Sequence, residues 1–128
     1  MNVLLVAIGG GLGAAARYLA GVWIVALLGA GFPWGTFFVN VTGSFLIGIV
    51  LVLVEGGTLP AEARLFFAVG ILGGYTTFSS FSYETLQLVN GGGNVVGPVL
   101  FNTLGQVLTG LLAVYLGVVV GRVLLGGA

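Results

Sequence analysis

The segment Gly73-Gly74-Tyr75-Thr76-Thr77-Phe78-Ser79-Ser80-Phe81-Ser82-Tyr83 places hydroxyls and two phenylalanines inside a run otherwise apolar enough for a membrane. In hydrocarbon an unpaired backbone amide or carbonyl is costly, so polar, glycine-flanked backbone persists only inside protein or beside a water-filled cavity. The segment therefore predicts an interrupted helix where something small meets the protein at mid-membrane depth. Sites in transport proteins are often built from such breaks. Hydroxyls donate hydrogen bonds, and the edges of aromatic rings carry the positive part of the ring quadrupole. Phe78 and Phe81, three apart, share a face if helix resumes after the break. That combination suits a small anion; the alternative is that the two rings fill apolar space.

Further polar residues fall on stripes. Thr36, Asn40 and Gly43-Ser44 recur at helical spacing in the second apolar run, as do Asn102, Gln106 and Thr109 in the fourth. Each residue taken alone reads as interhelical hydrogen-bond glue, worth ~0.6 kcal/mol per contact. Two matched stripes beside a broken helix favour a polar pathway. Arg17 lies well inside the first run. An arginine near the bilayer centre costs at least ~2.5–3.5 kcal/mol on insertion scales and faces a pathway or a partner, unless it snorkels to an interface. Glu84, a turn past Phe81, is the only acid well inside a spanning run. It reads either as a proton-coupling group or as the rim of a vestibule. Neutral donors and one arginine outnumber acids, which again suits an anion.

The elements that must position these residues follow from composition. Of 128 residues, 59% are hydrophobic and 5% charged, and the mean hydropathy is +1.25, against about 25% charged in soluble domains. This is an all-α integral membrane protein. A span needs roughly 20 apolar residues, and four runs qualify, over about 2–28, 34–54, 61–89 and 95–125. Pro33 stands at the start of the second, and the third contains the break. The connections are short, so neighbouring helices are antiparallel, and residues 1–128 form one domain. Gly9 with Gly13, Ser44 with Gly48, and Gly117 with Gly121 have the small-xxx-small spacing that lets membrane helices pack backbone to backbone. The first run lacks a positive flank and is too long for a signal peptide. With neither cysteine nor histidine, no disulfide, histidine metal site or cysteine nucleophile is available. No base–nucleophile pair suggests an enzyme, and no basic cluster suggests nucleic acid. Arg64 and Arg122 mark one side of the membrane against no Lys or Arg in the opposite loops, a feeble orientation bias.

Three blocks together resemble the fluoride channel family called Fluc or CrcB. They are Gly9-Gly10-Gly11-Leu12-Gly13-Ala14-Ala15-Ala16-Arg17-Tyr18, Gly35-Thr36-Phe37-Phe38-Val39-Asn40-Val41-Thr42-Gly43-Ser44-Phe45, and Gly73 through Thr85. The fourth run matches mainly through Gly110-Leu111-Leu112-Ala113-Val114-Tyr115-Leu116-Gly117. The resemblance implies a four-helix subunit of an antiparallel, dual-topology homodimer with two fluoride pores, in the cell membrane of a prokaryote. It also implies a structural sodium ion, held at the dimer centre by the backbone carbonyls of Gly73 and Thr76. Phe78 and Phe81 would be the pore phenylalanines, Asn40 the pore-lining asparagine, Thr36 its neighbour and Arg17 the vestibule arginine. Where the family often has a tyrosine followed by serine or threonine in the fourth helix, this chain has Asn102, Gln106 and Gly110. Amides still donate hydrogen bonds, so Asn102 and Gln106 are carried as pathway residues.

The leading expectation is a passive fluoride channel exporting the ion from the cytoplasm and relieving its toxicity. The competing expectation is a small dual-topology proton-coupled exporter, a type that depends on a glutamate in its first helix; this chain has Arg17 there instead. A structural subunit of a larger complex is the third, with the stripes as packing glue.

Overall fold

The computed structural model describes residues 1–127, which form α1 (Asn2–Leu28), α2 (Trp34–Glu55), α3 (61–75), α4 (Phe78–Asn90) and α5 (Val96–Leu124), with no strand among them. Four stretches are long and apolar enough to cross a membrane: Asn2–Leu28, Trp34–Glu55, Ala61–Asn90 and Val96–Leu124. The third is α3 and α4 in series, interrupted at Thr76 and Thr77.

Local chemistry sets the ends. Gly29 closes α1 at φ 81, a left-handed conformation that costs glycine nothing, and its amide donates to the Val25 carbonyl at 2.8 Å. Pro33 immediately precedes α2, and its carbonyl accepts the Phe37 amide at 3.1 Å. The α3 helix departs from the expected regular helix: Arg64–Leu72 is a nine-residue π-helical stretch. Such wide turns are rare and concentrate at functional sites. This one lies where α3 presses hardest on α1.

That pressure is visible at the glycines. A Cβ on Gly13 would fall onto the Ile71 carbonyl group, and one on Gly9 onto the Phe66 carbonyl oxygen. Across the bundle, a Cβ on Gly117 would meet the Phe45 carbonyl, and one on Gly48 the Val114 carbonyl. Helices α1 and α3, and α2 and α5, thus pack backbone against backbone through Gly9, Gly13, Gly48 and Gly117, whereas Gly121 lies against the Val52 side chain and Ser44 turns its hydroxyl onto the Asn40 carbonyl of its own helix. Gly13→Ala is expected to cost about 1–3 kcal/mol by overpacking, read as a lower melting temperature of the purified protein in detergent. Gly11→Ala, with nothing within 4 Å of the added carbon, is the control; equal melting of the two variants would refute backbone-on-backbone packing.

Helix α4 stands apart. It has no buried residue, and Phe78, Tyr83 and Leu86 are 78%, 64% and 55% exposed. A single chain therefore leaves the segment following the break uncovered on one face.

Candidate functional site

The break is held by side chains in place of helical pairing. Thr76 and Thr77 are extended, at φ −84, ψ 157 and φ −152, ψ 116. The Thr77 hydroxyl oxygen caps α4 by accepting the Ser80 amide at 3.1 Å. Asn40 of α2 brackets the backbone of the same residue: its Oδ1 accepts the Thr77 amide at 2.8 Å, and its Nδ2 donates to the Thr77 carbonyl at 3.0 Å. In a continuous helix the Thr77 amide would serve the Gly73 carbonyl and the Ser80 amide the Thr76 carbonyl. Both amides are diverted, so these two carbonyls lose their ordinary partners.

From Asn40 a chain of amides crosses to α5. Asn40 Nδ2 donates to Gln106 Oε1 at 2.8 Å, Gln106 Nε2 to Asn102 Oδ1 at 2.8 Å, and Asn102 Nδ2 to Thr85 Oγ1 at 2.9 Å. The Thr85 hydroxyl donates in turn to the Phe81 carbonyl at 2.7 Å. The chain thus links both ends of the first turns of α4 to the rigid α2–α5 pair. Buried polar groups are costly unless paired, and here the pairing runs unbroken through Asn102, which has no exposed surface, and Gln106, which is 6% exposed.

Two clefts flank the break. One, of about 340 Å³, is lined by Asn40, Thr76, Thr77, Phe78, Phe81 and Gln106 among others. The Phe78 and Phe81 ring centroids are 5.6 Å apart with planes tilted by 42°. The other cleft, of about 960 Å³, is lined by Arg17, Tyr18, Thr36, Ser80, Glu84 and Gln87 among others. There the Thr36 hydroxyl donates to Glu84 Oε1 at 2.9 Å, while Glu84 Oε2 is buried without a hydrogen-bond partner among the described residues. Thr77 borders both clefts.

The expected site residues thus divide. Asn40, Phe78, Phe81, Gln106, Gly73 and Thr76 gather at the first cleft, and Arg17 and Thr36 at the second, where Thr36 faces Glu84. Asn102 lines neither; it stands behind Gln106. Thr109, on the same stripe, is exposed and turns its hydroxyl back onto the Gly105 carbonyl. Sequence reasoning did not single out Thr77 as the hub or Thr85 as the end of the amide chain. The signal for Thr77 was present: a threonine directly before a resuming helix is a preferred N-cap. Nothing comparable marks Thr85, whose part depends on a contact with α5.

Comparison with known proteins places this arrangement. The family model described as "CrcB-like protein, Camphor Resistance (CrcB)" matches residues 4–118. The chain is 56% identical to a fluoride-specific ion channel FluC of Thermus thermophilus, over 96% of its own length and 95% of that protein's. It is 45% identical to the protein of the same name from Agrobacterium fabrum, covering 95% of this chain and 97% of the relative. For the one from Acidobacterium capsulatum the identity is 48%, over 95% and 97% of the two lengths. These relatives are named as ion channels, not as enzymes. With a family model covering most of its length and near-full-length relatives at this identity, the chain belongs to the CrcB family.

Proposed function

We propose that this chain is a subunit of a fluoride-selective channel that lets the ion leave the cytoplasm passively. The observation that carries the reading is the first cleft, where neutral donors and two tilted phenylalanine rings meet at a helix break with no fixed charge among its lining residues. Fluoride is the smallest halide and the strongest hydrogen-bond acceptor among them. A lining of neutral donors and positive ring edges rewards that property without holding the ion as tightly as a cation would. The fluoride specificity in the names of the relatives supports the same ion.

The functional unit on this reading is an antiparallel homodimer in the cell membrane. The exposed hydroxyl-bearing residues Ser79, Ser82 and Tyr83 of α4 support it, because a second copy would shield those polar groups from lipid. Sodium fits the break as a structural ion. The donors that the family resemblance implies are the carbonyls of Gly73 and Thr76. Hard oxygen donors suit a hard cation, and both have lost their helical amides. Bound there, sodium would supply positive charge to satisfy those oxygens and nothing to the passage of fluoride.

Purified protein in liposomes tests the function. Fluoride efflux without a pH gradient, with chloride retained, is the expected result; comparable loss of both ions would end the fluoride-channel reading. The same vesicles separate it from a proton-coupled exporter. Glu84 is the only acid well inside a spanning segment, and passive flow needs no titrating group. Glu84→Gln keeps the hydrogen bond to Thr36 within reach and is expected to retain substantial fluoride flux. Flux that requires a pH gradient in the unsubstituted chain, and vanishes in E84Q, would favour the exporter.

A further inference from the structure

We infer that Gln106, not Asn40, supplies the side-chain amide proton that meets the anion beside Phe78 and Phe81, with Asn40 acting as the positioning residue. The inference rests on the channel reading above and concerns how this chain's own amides divide the work.

A primary amide has two N–H donors and one accepting oxygen. Both Asn40 donors are spent, one on the Thr77 carbonyl and one on Gln106 Oε1, and its oxygen accepts the Thr77 amide. Asn40 has no proton left for an ion. The other polar side chains of this cleft are spent as well. Ser44 donates to the Asn40 carbonyl, Thr76 to the Leu72 carbonyl, and the Thr77 hydroxyl is engaged by Ser79 and Ser80. Gln106 gives one N–H to Asn102 and keeps its second. Asn102 also keeps one, but it is fully enclosed and lines neither cleft.

The orientation of that free proton is fixed from both ends. The Thr77 backbone amide can only donate, so Asn40 must turn its oxygen to it and its nitrogen to Gln106. Gln106 must then present oxygen to Asn40 and nitrogen to Asn102. Asn102 presents nitrogen to Thr85, whose own proton is committed to the Phe81 carbonyl. A backbone donor at one end and a backbone acceptor at the other give the chain a single polarity. Flipping any one amide sets donor against donor and acceptor against acceptor. The helix break supplies the freed Thr77 amide, and thereby aims a donor on α5.

The test is NMR of the isotope-labelled side-chain amides of Gln and Asn in the intact, reconstituted protein, titrated with sodium fluoride against sodium chloride. The Gln106 signals are assigned by their loss in Gln106→Met. With fluoride, one of the two Gln106 amide protons is expected to shift while the Asn40 pair stays in place; chloride moves neither. Flux in Q106M should fall by about tenfold or more, the fold-change expected for losing a hydrogen bond to a charged partner. An Asn40 pair that shifts while Gln106 does not overturns the inference, as does fluoride flux unaccompanied by any Gln106 shift. Gln87 is the only other glutamine in the sequence, so loss of its signals in Gln87→Met assigns Gln106 by elimination, and the titration of the unsubstituted chain decides even where Q106M does not fold. Absence of fluoride flux in the unsubstituted protein is a separate outcome, and it overturns the channel reading itself.

Discussion

Phe78→Ile and Phe81→Ile are each expected to abolish most fluoride flux while leaving a folded protein with an unchanged elution profile. The reason lies in where the rings sit. Phe78 is 78% exposed at the first residue of α4, so within one chain it contributes almost nothing to core packing. Instead it lines the cleft at the break together with Phe81, Asn40 and Gln106. Isoleucine keeps apolar bulk but has no aromatic edge, so it removes the positive rim that an anion would meet. Each tenfold loss of flux corresponds to about 1.4 kcal/mol, and the loss of one of two ring edges should exceed that. Phe81 carries the sharper test. Its carbonyl ends the amide chain through Thr85, and this backbone contact survives the substitution, so a fall in flux reports on the ring alone. Normal flux in either variant, or loss of the folded protein, returns the pair to a packing role.

The sequence made the four spans legible because the bilayer imposes a length and a composition that few other pressures would produce. The break was legible because the glycine-flanked run of hydroxyls from Gly73 to Tyr83 is dense for a spanning segment; a lone threonine simply turns its hydroxyl onto its own helix, as Thr109 does. The glycine pairs were legible as close approaches, since a carbonyl can sit over Gly13 only where no Cβ stands. The π-helical turn of Arg64–Leu72 was not. Gly70 and the β-branched and aromatic residues around it weaken the helix without specifying a wide turn, and the geometry arises from how α3 meets α1, a tertiary matter. Similarly, the helical stripe joined Thr36 to Asn40, but the structure divides them between two clefts, because Thr36 finds Glu84 while Asn40 finds the Thr77 backbone. A stripe states which residues share a face. It does not state which element comes to cover each turn of that face. Asn102 and Gln106 were likewise visible as a pair, yet their polarity is set by the backbone of Thr77 in the break and of Phe81 on α4.

A tag at the C-terminus is expected to be accessible from both sides of the membrane in one preparation, and forcing one orientation is expected to eliminate flux. The basis is the weakness of the topological signal. Arg64 and Arg122 stand toward one side, and the connections 29–33 and 91–95 hold no Lys or Arg. The difference is two basic residues, small enough for both insertions to occur. An inverted second copy would cover the exposed face of α4 and bring a second pair of Gly73 and Thr76 carbonyls to complete a cation site. Neither is available to copies that all insert the same way. Adding several lysines after the last helix should commit every copy to one orientation, since positive charge near a span end is retained on the cytoplasmic side. Such a variant should insert and label from one side only, yet conduct little fluoride. Coexpression with a copy biased the other way, by lysines in the connection 91–95, should restore flux. If the unmodified tag labels from one side only, or the single-orientation variant conducts normally, the inverted pair is wrong and the shared sodium site falls with it.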